Sequence, residues 1–231
     1  MRSIRRAIDS DLTRDCGALA VATAIVGASF GAIALAAGVP AWLAMTMSVL
    51  VFGGGSQFTA VAVLASGGSV ITAVIGGLLL NARHLPLGLA VGDLLNRGWT
   101  SRLIGSHLLT DGSAAFTMAE TDPRRRRITY WATGIALFVS WNLGVLVGVV
   151  AGQAIGDPDM MGLDAAFPAG LLALLLPSLR DRRSRWVAAG AVIVALAATP
   201  LTPPGVPVLV ALAALPLGLL VGDAEAKAPQ A

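Results

Sequence analysis

Residues 16–82 read CGALAVATAIVGASFGAIALAAGVPAWLAMTMSVLVFGGGSQFTAVAVLASGGSVITAVIGGLLLNA, 67 positions without an Asp, Glu, Lys or Arg. A helix needs about 20 consecutive apolar residues to cross a bilayer, so this stretch alone is long enough for three crossings. The remainder agrees: the chain is 56% hydrophobic and only 13% charged, about half the roughly 25% charged content of a soluble globular domain. An ordinary soluble protein is excluded, and the fold class expected is all-α, a polytopic transmembrane helical bundle.

Extending the same reading over all 231 residues gives candidate spans at 17–39, 42–66, 69–93, 99–120, 130–155, 163–179, 186–201 and 204–222. Spans six and seven are short, and Pro177, Pro200, Pro203 and Pro204 punctuate their ends. They read equally as a tilted hairpin or as half-helices, so about eight spans are expected, with six or seven still open. The domains that follow are an amphipathic cytoplasmic N-terminal helix over 1–16, a transmembrane domain over 17–222 and a cytoplasmic tail over 223–231.

The net charge of +3 and pI near 10 would suggest nucleic acid in a soluble protein, but here the arginines sit in short tracts between apolar runs. With the amino terminus in the cytoplasm, the inner segments carry Arg2, Arg5, Arg6, Arg14, Arg124 to Arg127, Arg180, Arg182, Arg183, Arg185 and Lys227, 13 of the 16 basic residues. That is the positive-inside pattern. It predicts a multi-pass protein with both termini inside, a lipid-bilayer environment and no nucleic-acid partner. Ile4, Ile8 and Leu12 fall on one helical face, as in an interfacial helix. A secretory signal peptide competes through Ala34-Leu35-Ala36, but the apolar region exceeds the usual 7 to 15 residues.

The single Cys16 forms no intramolecular disulfide, and His84 and His107, 23 positions apart, offer no metal-ligand spacing. No metal and no cofactor is expected, since Gly-x-x-x-x-Gly-Lys-Ser/Thr is also absent. One internal echo exists: Leu85-Pro86-Leu87-Gly88-Leu89-Ala90-Val91-Gly92-Asp93 returns as Leu215-Pro216-Leu217-Gly218-Leu219-Leu220-Val221-Gly222-Asp223, eight of nine identical. It marks either inverted repeats, as in many transporters, or a coincidence of Leu, Val and Gly composition.

Several polar groups lie where lipid is expected. Phe52-Gly53-Gly54-Gly55-Ser56-Gln57-Phe58 puts three glycines and two polar side chains near the middle of the second span. This predicts either a broken helix, whose free ends bind a carboxylate or cation, or a small-residue packing seam. Asn81-Ala82-Arg83-His84 sits deep in the third span, and Asp111, after Thr110, half way along the fourth. Unless span three ends early and leaves Arg83 at the interface, such charges need partners. Arg83 and Asp111 are natural counter-ions, either holding an amino acid zwitterion or forming a permanent ion pair. Histidine is the side chain whose unperturbed pKa lies near physiological pH, so His84 and His107 are each a candidate proton relay or a plain hydrogen-bonded histidine. Trp141-Asn142 in span five lines the same cavity or joins neighbouring helices.

Taken together, the segment from Phe52 to Phe58, Asn81-Ala82-Arg83-His84-Leu85, Leu109-Thr110-Asp111, the Trp141 helix and Gly162-Leu163-Asp164-Ala165-Ala166-Phe167-Pro168 resemble the AzlC family. That resemblance implies the large subunit of a branched-chain amino acid exporter of the azaleucine-resistance type, exporting valine-like amino acids from the bacterial cytoplasmic membrane. It also implies a small hydrophobic partner subunit of the AzlD type. One departure is Gly112, where the family carries Glu after the Asp.

The leading expectation is therefore a secondary transporter, not an enzyme, binding its amino acid at the midplane between the broken second span and Arg83. The residues expected at the substrate are Gly53, Gly54, Gly55, Ser56, Gln57, Asn81, Arg83, His84, Asp111, Trp141 and Asn142. Two other classes compete. An intramembrane serine hydrolase would use Ser56, His84 and Asp111, although Phe58 stands where a Gly-x-Ser-x-Gly elbow needs glycine. A non-transporting scaffold would need only the small-residue seams and no deep charges.

Overall fold

In the computed structural model the described residues are 2–95, 98–154, 172, 176 and 178–218. All their regular structure is helical, with no strand. Ten α-helices follow in order: α1 Arg2–Ala36, α2 Ala41–Leu50, α3 Gly54–Ala65, α4 Val70–Asn81, α5 His84–Val91, α6 Trp99–His107, α7 Asp111–Ala119, α8 Pro123–Ala154, α9 Arg182–Ala198 and α10 Val206–Val210. Short 3₁₀ turns cover Gly92–Leu95, Ser178–Arg180 and Ala211–Ala214.

Among the described residues two helical segments are, by length and composition, long and apolar enough to cross a bilayer, Arg14–Ala36 and Pro123–Ala154. A third counts if Val70–Asn81 and His84–Leu95, bent by 41°, form one span. About eight spans, the second of them broken, are not confirmed: three of the expected runs are interrupted, and most of the sixth and the end of the eighth lie outside the described residues. Span two divides at 51–53, as its glycines predict; spans three and four also divide, at 82–83 and 108–110. α1 continues through residue 16, where the sequence reading set a boundary between an interfacial helix and the first span. Most of the predicted sixth span, the segment from Gly162 to Pro168, the tail 223–231 and the end of the second nine-residue echo lie outside the described residues.

The chain divides into two units. The first comprises Met1–Leu35, Val39–Gln57 and Leu78–Gly156. α1 packs closely against α8, and small residues make that possible. Side chains at Gly144 and Gly148 would be driven into the carbonyl oxygens of Ala24 and Ala28, and a Cβ at Gly27 would lie 2.6 Å from the Trp141 carbonyl oxygen. Such close approach lets dispersion hold helices together in lipid, where no hydrophobic effect separates them from the solvent. Phe30 of α1 is fully buried and stacks on Trp141 of α8, centroids 5.9 Å apart. α2 is tied to α8 by Ser48 Oγ, which donates to Asn142 Oδ1 at 2.7 Å. Val91, Leu94, Leu95, Ala114 and Tyr130 form a buried apolar cluster, and the Tyr130 hydroxyl donates to the Gly105 carbonyl at 2.7 Å.

The second unit comprises Ala36–Gly38, Phe58–Gly77 and Asp157–Ala231. α9 starts at Asp181, whose Oδ2 accepts from the Ser184 N–H at 2.8 Å. The backbone and side-chain hydrogen bonds of Ser184 hold this carboxyl below its ordinary range. Before α10, Gly205 takes a left-handed φ of +84° and comes so close to Gly68 that a Cβ there would lie 2.8 Å from the Gly68 Cα.

Candidate functional site

Three helices begin at one place in the first unit, each for a local reason. α2 ends at Leu50, and Phe52 turns into the left-handed region with φ +41°, a strained conformation for a residue with a Cβ. The chain then restarts as α3 at Gly54, with Ser56 Oγ donating to the Gly53 carbonyl at 2.7 Å. α4 stops at Asn81 because Pro86 cannot continue a helix through Ala82; two residues later α5 begins at His84, where Pro86 falls in the first turn and its missing N–H costs nothing. α6 ends at His107, and Thr110 starts α7 through a capping box: its Oγ1 accepts from the Ser113 N–H at 3.1 Å, while its own N–H donates to Ser113 Oγ at 2.9 Å.

The starts of α3, α5 and α7 line a cavity of about 200 Å³. Each contributes the positive end of its helix dipole. Arg83 projects from the break before α5 and Asp111 from the first position of α7; Arg83 Nη1 lies 3.1 Å from Asp111 Oδ2. Their side chains are 47% and 56% exposed, so the pair is open to solvent and not sealed in the core. The opposite wall is apolar, formed by Leu19 of α1 and by Leu137 and Trp141 of α8.

The glycines of the broken second span admit three different neighbours. A Cβ at Gly53 would lie 2.6 Å from Ser56 Oγ and 2.9 Å from Asn81 Oδ1; at Gly54, 3.0 Å from the Trp141 ring; at Gly55, 3.0 Å from Leu80 and 3.4 Å from Arg83 Nη2. The run thus seats the indole and the guanidinium against the start of α3.

A second cavity of about 190 Å³ is lined by Val51, Phe52, Gly53, Asn81, His84, Ser106, His107 and Leu109. Phe52, Gly53 and His84 line both cavities.

Of the residues expected at the substrate, Gly53, Gly54, Gly55, Arg83, His84, Asp111 and Trp141 line the first cavity and Asn81 the second. Ser56, Gln57 and Asn142 line neither. Ser56 is buried against Gly53. Gln57 is fully buried with no hydrogen-bond partner for either amide atom. Asn142 is a tie between helices, accepting from Ser48 and donating to the Phe138 carbonyl at 2.8 Å; it satisfies its amide on α2 and α8 and has no need of a cavity. A hydrolase arrangement is not assembled: Ser56 donates to Gly53, His84 Nδ1 to the Asn81 carbonyl at 3.1 Å, and Asp111 faces Arg83. The sequence reading missed Leu19, Thr23, Gly112 and Leu137 as lining residues, and the breaks in spans three and four. Pro86 and the Thr110-x-x-Ser113 cap were the available signals for those breaks.

The AzlC protein family profile matches residues 18–155, which include all eight of these cavity-lining positions. The chain is 30% identical over 186 residues to a membrane protein of Archaeoglobus fulgidus, covering 78% of this chain and 81% of that one. It is 26% identical over 179 residues to a membrane protein of Helicobacter pylori strain J99, covering 75% and 78%. It is 28% identical over 175 residues to the inner membrane protein YgaZ of Escherichia coli K12, covering 72% and 71%. No solved structure matches the chain. A profile covering more than half of the sequence, relatives named as membrane proteins that match along most of their length and a run of 67 residues without a charge lead to one conclusion: the chain is a membrane protein belonging to the AzlC family.

Proposed function

We propose that this chain is the large subunit of a two-component secondary transporter that exports branched-chain or similar apolar amino acids across the bacterial cytoplasmic membrane. The observation that carries the reading is the pairing, in one cavity, of Arg83 and Asp111 with three helix starts on one side and an apolar wall on the other. An amino acid zwitterion complements that arrangement. Its carboxylate meets Arg83 and the positive ends of α3, α5 and α7. Its ammonium meets Asp111, and its side chain meets Leu19, Leu137 and Trp141. Inserting the zwitterion exchanges one ion pair for two and leaves no charge unpaired.

A cavity near 200 Å³ falls below the roughly 300–1,000 Å³ of sites for drug-sized ligands, so a small solute suits it. Gly112 leaves Asp111 as the carboxylate of this cavity. Breaks in helices near mid-membrane, facing a binding site, are the usual construction of secondary transporters, and an ion or proton gradient is the natural drive. A small hydrophobic subunit of the AzlD type completes the proposed permease, with both termini in the cytoplasm.

The test follows intracellular valine, leucine, isoleucine and methionine in cells fed the corresponding dipeptides, with and without this chain and a small hydrophobic subunit encoded beside it. Lower accumulation only when both are present supports the reading. Equal accumulation in all strains removes it.

A further inference from the structure

We infer that residues 94–120 form a re-entrant helical hairpin, which enters the bilayer and leaves it at one face, that of Arg124 to Arg127, without crossing. The sequence reading had 99–120 as a complete fourth span. This topology concerns how the first cavity is built and goes beyond the transport reading without resting on it.

α8 runs from the arginine tract at Pro123 to Ala154 and gives a scale across the bilayer. α1 lies parallel to it: Cys16 neighbours Thr133, Ala24 meets Gly144, Ala28 meets Gly148 and Leu35 meets Gly152. α5 runs the other way. It begins at His84 in the wall of the first cavity, which Leu137 and Trp141 of α8 share. It ends at the tract, where Arg126 Nη2 donates to the Ala90 carbonyl at 3.4 Å and Nη1 lies 3.6 Å from Asp93 Oδ2. α7 repeats that course: Asp111 starts it in the same cavity wall, and just past its end Glu120 Oε2 lies 3.4 Å from Arg125 Nε. The chain is therefore at the tract at Asp93 and again at Glu120, so whatever lies between them goes in and comes back.

α6 is the limb going in. The Gly105 carbonyl accepts from the Tyr130 hydroxyl at 2.7 Å, and further along α8 a Cβ on Gly134 would lie 3.1 Å from Leu108 Cβ. The tip, 108–110, stands beside Gly134 and Leu137, about 10–15 Å beyond Arg127 at 1.5 Å per residue, which is the half-thickness of a roughly 30 Å hydrocarbon core. α6 and α7 have nine residues each, about 13 Å, enough to reach the midplane and too short to cross.

Non-helical backbone at that depth has to find its hydrogen bonds within the protein and line a cavity or be buried. The tip does both. The Leu108 N–H donates to the Ile104 carbonyl at 3.1 Å, the Thr110 N–H to Ser113 Oγ at 2.9 Å, and Ser113 Oγ to the Leu108 carbonyl at 3.2 Å. Leu108 is buried, Leu109 lines the second cavity and Thr110 the first. On the arginine side of the cavity, the cluster of Val91, Leu94, Leu95, Ala114 and Tyr130 fills the space between α5, α7 and α8. Packed half-helices, not a crossing helix, thus separate the cavity from that face. With the tract in the cytoplasm, as the positive-inside pattern has it, Arg102 of α6 joins the cytoplasmic basic residues, and exposed Trp99 at the start of the limb takes the interfacial place that tryptophan favours.

The test uses the full chain in a Cys16→Ser background, with one cysteine added at a time. Thr121→Cys marks the tract face and Gln153→Cys the far end of α8; Thr100→Cys and Gly92→Cys are the reporters. Thr100, Thr121 and Gln153 are exposed, and a Cβ on Gly92 meets nothing within 4 Å. A membrane-impermeant maleimide is applied to intact cells and to inverted membrane vesicles. Both reporters are expected to label from the side that labels Thr121→Cys and to lose labelling from the side that labels Gln153→Cys. Ala115→Cys, exposed on α7 close to the tip, should label from neither side until detergent is added. Labelling of either reporter from the Gln153 side overturns the hairpin, because 99–120 then crosses. Labelling of Ala115→Cys as fast as Thr100→Cys also overturns it, because the segment then lies on the surface. So does labelling of Thr121→Cys and Gln153→Cys from one side, which removes α8 as a span. Reporters on two separate elements keep the test decisive if one variant does not accumulate. Leucine exchange in the same membranes addresses the transport reading alone. The expected sidedness without exchange removes transport and leaves the hairpin; exchange with reversed sidedness does the opposite.

Discussion

Replacing Arg83 by Gln and Asp111 by Asn, singly and together, decides whether their ion pair serves binding or merely orders two helices. The exposure of the two side chains, 47% and 56%, sets the expectation. A solvent-open pair contributes about 0–1 kcal/mol to stability, whereas removing one partner of a buried pair costs about 3–5 kcal/mol. Each single variant should therefore lose no more than about 1 kcal/mol of unfolding free energy, with a coupling in the double variant too small to matter. Binding should suffer far more. A hydrogen bond from an ionised donor is worth about 1.5–3 kcal/mol when its partner is left unsatisfied, or about 10- to 150-fold in affinity. The assay pairs denaturant unfolding followed by circular dichroism with equilibrium binding of radiolabelled leucine at pH 7. A single variant that loses more than about 3 kcal/mol, recovered in the double, would refute the binding role and make the pair a structural one.

Gly54→Ala should lower the melting temperature through about 1–3 kcal/mol of overpacking, because its Cβ would sit 3.0 Å from a Trp141 ring that fully buried Phe30 backs at 5.9 Å; a thermal melt checks this. Gly148→Ala should be worse, beyond about 3 kcal/mol, since the obstacle is the Ala28 backbone, while Gly17→Ala, with nothing within 4 Å, should be neutral or slightly stabilising; yield of folded protein after detergent extraction separates them. Asp181 has its folded pKa lowered from an ordinary 3.8 by the Ser184 hydrogen bonds. Its contribution is therefore present above that ordinary value and lost as pH falls through the lower, folded one. The stability gap between wild type and Asp181→Ala, measured by denaturant titration, should close on acidification, and Asp181→Asn should show no such pH dependence.

The sequence by itself determined that the chain is helical and lives in a membrane, because 67 residues without a charge leave no other solvent in which to bury them. It also offered one break, since three adjacent glycines weaken a helix wherever they fall, and the pairing of Arg83 with Asp111, since they are opposite charges within apolar runs, but it left a packing seam and an interfacial Arg83 as alternatives. Only the tertiary structure decided how these parts meet. Whether Asn142 faced a cavity or a neighbouring helix depended on where Ser48 lay, 94 positions away. The convergence of α3, α5 and α7 depended on three backbone interruptions of different origin, a left-handed Phe52, a helix stopped ahead of Pro86 and the Thr110 cap, meeting in space. The partner of the His107 ring, the Val49 carbonyl, lies 58 positions away. Periodicity and composition act along the chain, whereas cavities and hydrogen-bond partners are set by helices packing across it.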